Sequence, residues 1–90
     1  SVSHVYVIPI KTEKESIKIA QELRKAGIKT EMDILNRGIS KNLGYANSLN
    51  IPFALIIGEQ ELAQNKVKLR DMKSGKEELL SIKDAVEKLK

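Results

Sequence analysis

The sequence predicts an α/β fold: a five-stranded mixed sheet, mostly parallel, flanked by three helices. Three observations point to it. The first half alternates strand and helix periodicities in the order strand, helix, strand, helix, strand, which favours parallel crossovers. Phe53-Ala54-Leu55-Ile56-Ile57 is apolar without interruption, as expected of a central strand buried on both faces. Lys66-Val67-Lys68-Leu69-Arg70 then alternates strictly and runs into a turn, the pattern of a hairpin at the edge of a sheet.

Taken in order, Val5, Tyr6, Val7 and Ile8 form a short apolar strand that Pro9 is expected to close, since proline donates nothing to a ladder. Thr12-Glu13-Lys14-Glu15 has the form of a capping box and starts a helix. Ile19, Ala20, Leu23 and Ala26 recur at helical spacing, and Gly27 supplies the stop. Ile28, Thr30 and Met32 alternate with Lys29, Glu31 and Asp33, a strand whose charged side faces outward. Asn36-Arg37-Gly38 breaks it, and Ser40 is expected to cap a second helix carrying Leu43, Ala46 and Leu49. Asn50-Ile51-Pro52 ends that helix.

The stretch from residue 59 to residue 65 is short and polar. Lys73-Ser74-Gly75-Lys76 reads as a turn into a short strand around Glu78-Leu79-Leu80. Ser81 with Asp84 caps a last helix, whose Ile82, Ala85, Val86 and Leu89 lie at i, i+3, i+4 and i+7.

Ninety residues suit one domain spanning 1–90, and no repeat, linker or low-complexity tract divides them. The apolar run at 53–57 is far short of the ~20 residues that cross a bilayer, so no membrane is expected. Nothing at the N-terminus has the layout of a secretory signal. Without cysteine there is no disulfide framework and no thiolate nucleophile, and a single His4 builds no histidine metal cluster; no metal and no cofactor are expected. A reducing cytoplasm is compatible with this composition.

Sixteen Lys and Arg against twelve Asp and Glu give a net charge of +4, a modest tilt towards an acidic partner. The only charged side chains between residues 34 and 58 are Arg37 and Lys41. A solvated lysine-rich surface explains the charge equally well.

Phosphate-binding loops, dinucleotide-binding turns, nucleophile elbows and paired-histidine metal helices are absent. The carboxylate pairs Glu59/Glu61 and Glu77/Glu78 sit among lysines in polar stretches, a poor setting for acid–base work. Only Tyr6, Tyr45 and Phe53 are aromatic, which is too few for a stacking platform for RNA bases.

The middle and C-terminal residues do carry a family pattern. Ile39-Ser40-Lys41-Asn42-Leu43-Gly44-Tyr45-Ala46, then Asn50-Ile51-Pro52, then Ile56-Ile57-Gly58-Glu59-Gln60-Glu61-Leu62 and Val67-Lys68-Leu69-Arg70-Asp71-Met72 resemble the anticodon-binding domain of class IIa aminoacyl-tRNA synthetases. The histidyl branch is resembled more than the threonyl, prolyl or glycyl branches. Val5-Tyr6-Val7-Ile8-Pro9 and Leu23-Arg24 before Gly27-Ile28 fit as well, so the resemblance covers essentially the whole chain. Gly44 departs from the family, which usually has a charged or polar residue there, and it weakens the second helix.

The resemblance implies a module that binds the anticodon stem-loop of tRNA, that of tRNA for histidine in the histidyl branch. It also implies a partner catalytic domain outside these residues, a homodimeric parent ligase using ATP and magnesium, and a cytoplasmic location. The chain by itself is expected not to be an enzyme. Carried over position by position, the family's anticodon base contacts fall on Asn36, Glu61 and Arg70. These residue types suit the reading of bases, since Asn offers a donor and an acceptor, Glu accepts from base amino groups, and Arg presents a bidentate fork. Arg37, Lys41, Lys66 and Lys68 are the candidate phosphate contacts.

Each has a plainer reading beside it. Asn36 is also an ordinary turn residue, Glu61 a surface residue of a short helix, Arg70 the solvent-side member of an alternating strand, and the lysines simply solvated. Tyr45, beside Ala46 on a helix, suits half-buried packing better than base stacking. The equivalent domain of a threonyl- or prolyl-tRNA synthetase is the alternative within the family, and two further function classes stay open at this point: a stand-alone or regulatory synthetase-like domain used for protein interaction or dimerisation, and a flavodoxin-like small-molecule module.

Overall fold

A computed structural model of the chain describes residues 3–90; Ser1 and Val2, which the expected domain includes, lie outside the described residues. The elements are β1 (Val5–Ile10), α1 (Glu13–Lys25), β2 (Thr30–Met32), α2 (Ile39–Ser48), β3 (Phe53–Gly58), α3 (Glu59–Ala63), β4 (Lys66–Asp71), β5 (Glu77–Ser81) and α4 (Ile82–Leu89). The strands form one sheet in the order β2-β1-β3-β4-β5. β1 pairs in parallel with β2 and with β3, and β4 runs against its neighbours β3 and β5, forming the expected edge hairpin.

Among the described residues four helices are present where three were expected. The addition is α3, whose five residues Glu-Gln-Glu-Leu-Ala are all good helix formers with acids in the first turn. A single turn is too short to show a helical period. β1 also runs past Pro9 to Ile10, with Pro9 in register with Ile57. The Asp33 amide donates to the Val7 carbonyl on the β2 side of β1, so by alternation the missing N–H of Pro9 faces the same side, beyond the end of the three-residue β2.

Helix starts differ from expectation in detail. Thr12 does stand at the N-cap of α1 but makes no side-chain cap; its buried hydroxyl donates to the Ile57 carbonyl at 2.7 Å instead, tying α1 to β3. α2 begins at Ile39 with Gly38, not Ser40, at the N-cap. Ser81 caps α4 as expected, accepting from the Asp84 amide at 3.1 Å. Gly27, at φ 85, ends α1 in the left-handed region that glycine enters without strain.

The two faces of the sheet are covered unequally. Val7, Leu55, Ile57, Val67 and Leu69 pack against Leu23 of α1 and against Ala85 and Leu89 of α4. On the other face, Tyr6, Ile8, Ala54 and Ile56 cluster with Ala46 of α2 and with Ile51 following it, and the half-buried Ile10, Leu43, Tyr45 and Met72 pack against them. Leu49, expected on the buried stripe of α2, is exposed. The β4–β5 half of this second face lies open: register places Lys66 beside Ser81, Lys68 beside Leu79 and Arg70 beside Glu77, and Leu79 is 48% exposed.

Candidate nucleic-acid interface

Strand alternation sets the first part of the site. Val67 and Leu69 are buried under α1 and α4, so Lys66, Lys68 and Arg70 project from the opposite, open face. Arg70 pairs in register with Ala54 near the start of β3, and Lys68 with Ile56. The Arg70 Nη1 donates to Glu77 Oε2 at 2.9 Å, and Lys68 Nζ lies 4.0 Å from Glu77 Oε1. Arg70 Nε is buried and has no acceptor among the described residues.

Glu61 reaches the same face from the other end. Gly58 alternates with Ala54 and Ile56, and a Cβ on Gly58 would collide with Glu61 Oε1, so the carboxylate lies over the backbone of Gly58. At ~3.3 Å per residue, Gly58 stands ~13 Å along β3 from Ala54. Glu61 and Arg70 thus mark the two ends of a shelf, with Lys66 and Lys68 between them.

Asn36 belongs to a second part of the site. It is exposed, has φ 53, and lies in the loop between β2 and α2. β2 is the edge strand beside β1, whereas the shelf lies on β3 and β4, and the loop leads from β2 back to the Tyr6 hydroxyl of β1 through Arg37. Asn36, Glu61 and Arg70 are carried by three separate segments, the β2–α2 loop, α3 and β4. Lys41 is exposed in the first turn of α2.

The β2–α2 loop is built on a buried polar network. Asp33, expected on an outward face, is 2% exposed. Its Oδ1 accepts from the Leu35 amide at 3.0 Å and from Arg37 Nε at 3.3 Å. Its Oδ2 accepts from the Arg37 amide at 3.0 Å and from Asn42 Nδ2 at 2.7 Å. Asn42 Nδ2 also donates to the Gly38 carbonyl at 2.8 Å, and Asn42 Oδ1 accepts from the Tyr6 hydroxyl at 3.1 Å. Arg37 Nη2 donates to the same hydroxyl at 3.0 Å, and the guanidinium stands 4.8 Å from the centroid of the Tyr45 ring. Arg37, a candidate phosphate contact, is thus largely engaged within the chain.

These contacts shift three titrations. Burial pushes the Asp33 carboxyl up, but bonds from the Leu35 amide, the Asn42 side chain and Arg37 outweigh it and hold it below its ordinary value. Burial pushes the Tyr6 hydroxyl up; Arg37 opposes this, and the Asp33 charge adds to it. Desolvation lowers the Arg37 guanidinium, but Tyr6 and Asp33 more than compensate and raise it. A signal for the network was present in the sequence: Asn42 stands four residues before Ala46 on the stripe of α2 that faces the sheet. Among the described residues, no group of three His, Cys, Asp or Glu side chains is placed to hold a metal ion, and no helix is long and apolar enough to cross a membrane.

The fold and its relatives agree. The chain is 42% identical over 88 residues to the histidine–tRNA ligase of Pyrococcus furiosus, an alignment covering 96% of this chain and 20% of that protein. It superposes on the histidyl-tRNA synthetase of a Nostoc species with TM-score 0.91 and 28% identity, over 99% of this chain and 22% of the other. The RNA binding domain of threonyl-tRNA synthetase from Cryptosporidium parvum matches with TM-score 0.89 and 27% identity, over 97% of this chain and 22% of that one. The chain therefore spans about a fifth of the length of the curated relative it matches. Residues 4–90 match the family model described as anticodon binding domain, and with nearly every residue covered, the chain belongs to that family.

Proposed function

We propose that this chain reads the anticodon of histidine tRNA as the anticodon-binding domain of a histidine–tRNA ligase, positioning that tRNA for aminoacylation by a catalytic domain outside these residues. The observation that carries the reading is the family match across residues 4–90 together with relatives that are histidine–tRNA ligases. In this reading Asn36, Glu61 and Arg70 contact anticodon bases, and Lys41, Lys66 and Lys68, with the exposed part of Arg37, contact phosphates. ATP and magnesium belong to the parent ligase, a cytoplasmic homodimer, and the isolated chain charges no tRNA.

The test is a titration of the chain with the anticodon stem-loop of histidine tRNA, anticodon GUG, and with the same stem-loop carrying scrambled loop bases. Tighter binding to the first is expected, with affinity falling as salt rises at the shallow slope of a handful of released counterions. A second reading, a protein-interaction domain, is favoured by one observation: Ile34 is 83% exposed and Leu35 66% exposed, on the loop that carries Asn36. Equal binding of both stem-loops together with a stable dimer of the chain in sedimentation would select it.

A further inference from the structure

Asn36 sits in a left-handed conformation at φ 53, on a loop with two bare aliphatic neighbours, yet the backbone on both sides of it is fastened. The amide before it, on Leu35, and the amide after it, on Arg37, both donate to the carboxylate of Asp33, one to each oxygen, each at 3.0 Å. Two bonds from one carboxylate to amides two residues apart leave the intervening residue little freedom in φ and ψ. The carboxylate is itself fixed by Asn42 Nδ2 at 2.7 Å, and Asn42 by the Tyr6 hydroxyl at 3.1 Å. Tyr6 lies on β1, an interior strand of the sheet. The chain of contacts from sheet to loop is buried throughout: Tyr6 and Asp33 are 2% exposed and Asn42 is 0% exposed.

None of these three side chains is placed to touch RNA. We propose that Asp33, held by Asn42 and the Tyr6 hydroxyl, is a positioning residue for anticodon recognition: it presents Asn36 in one fixed orientation, and so sets the discrimination between cognate and non-cognate loops without contacting either. This rests on the reading of Asn36 as a base contact. A rigidly presented amide gives up no ordering entropy when a base arrives, whereas the same amide on a loose loop loses part of its bond to that entropy. Burial of a polar network that only capped α2 would need Asn42 and Gly38; it would not need a carboxylate bracketing Asn36.

A double-mutant cycle tests it, reading the ratio of dissociation constants for the scrambled and cognate stem-loops. The ratio cancels both the charge change at Asp33 and any loss of folded fraction, since these act on the two RNAs alike. Asn36→Ala should narrow the ratio by about tenfold, the size of one good base contact. Asp33→Asn should narrow it by about threefold or more, and combining it with Asn36→Ala should narrow it no further than Asn36→Ala alone. Tyr6→Phe, which removes one oxygen and keeps the ring, takes the place of Asp33→Asn in both backgrounds should circular dichroism show the latter unfolded. A full-size ratio in Asp33→Asn and Tyr6→Phe, with Asn36→Ala narrowed, overturns the positioning role alone. An unchanged ratio in Asn36→Ala overturns the reading of that residue, and independent narrowing by the two substitutions shows the network acting elsewhere than through Asn36.

Discussion

Arg70 shows how a residue's surroundings separate reading from mere charge. One arm rests on Glu77, while its Nε–H is buried without an acceptor among the described residues. Exposed pairs such as this contribute only about 0–1 kcal/mol, so Glu77 holds the guanidinium lightly. Arg70→Ala should leave the fold intact, because Val67 and Leu69 supply the buried side of β4. It should cost roughly 1–3 kcal/mol in binding the cognate loop and much less in binding the scrambled one. Lys68→Ala, on the same face, should weaken both RNAs alike. Glu61→Gln is the complementary case: loss of a negative charge alone predicts tighter binding to every RNA, and a base contact predicts weaker binding to the cognate loop only. Stem-loop titrations of the three variants check this, and shifts that track net charge throughout would contradict it.

Asp33 makes a prediction in pH. Its folded value lies below the ordinary 3.8, so the ionised carboxylate stabilises the folded chain above that value, and the contribution is lost as pH falls through the depressed folded value. Asp33→Asn should therefore be less stable than the parent chain near neutrality, with the difference shrinking in acid below 3.8. Urea unfolding at a series of pH values measures it, and a pH-independent difference would count against the network as described.

At the scale of elements, α2 is the weakest link between sequence and site. It forms the far anchor of the β2–α2 loop, covers half a sheet face, and carries Gly44 in its middle. A Cβ at Gly44 meets nothing within 4 Å. Gly44→Ala should accordingly raise stability by about 0.5–1 kcal/mol, read as a higher urea midpoint, with RNA binding unchanged. Elements with a clear period were legible in the sequence: the β4–β5 hairpin from strict alternation, and α4 from its cap and its stripe. Elements set by tertiary contacts were not. Thr12 looks like a cap in sequence because its neighbours fit a capping box, but its hydroxyl is directed to the Ile57 carbonyl of β3 and to the Ser16 hydroxyl. α3 is a single turn, and the N-cap of α2 falls at Gly38, whose carbonyl accepts from both the amide and the side chain of Asn42.

For the whole molecule, unequal covering of the sheet decides where a partner fits. α1 and α4 close one face, and α2 closes half of the other, leaving an open charged shelf from Glu61 to Arg70. Alternation in the sequence was enough to place Lys66, Lys68 and Arg70 on one side. It could not show that β1 and β3 stand between β4 and β2, the strand that leads into the Asn36 loop, because that follows from strand order. Nor could it show the support beneath Asn36, whose Tyr6 and Asn42 are 36 residues apart and meet only in the folded chain. The most direct measurement is the backbone amide spectrum of the chain as the histidine stem-loop is added. Shifts should gather at residues 35–38, 58–61 and 66–70, and should be weaker or absent at the base-reading positions with the scrambled loop. Shifts confined to the face formed by α1 and α4, or identical patterns with both stem-loops, would contradict anticodon reading by this surface.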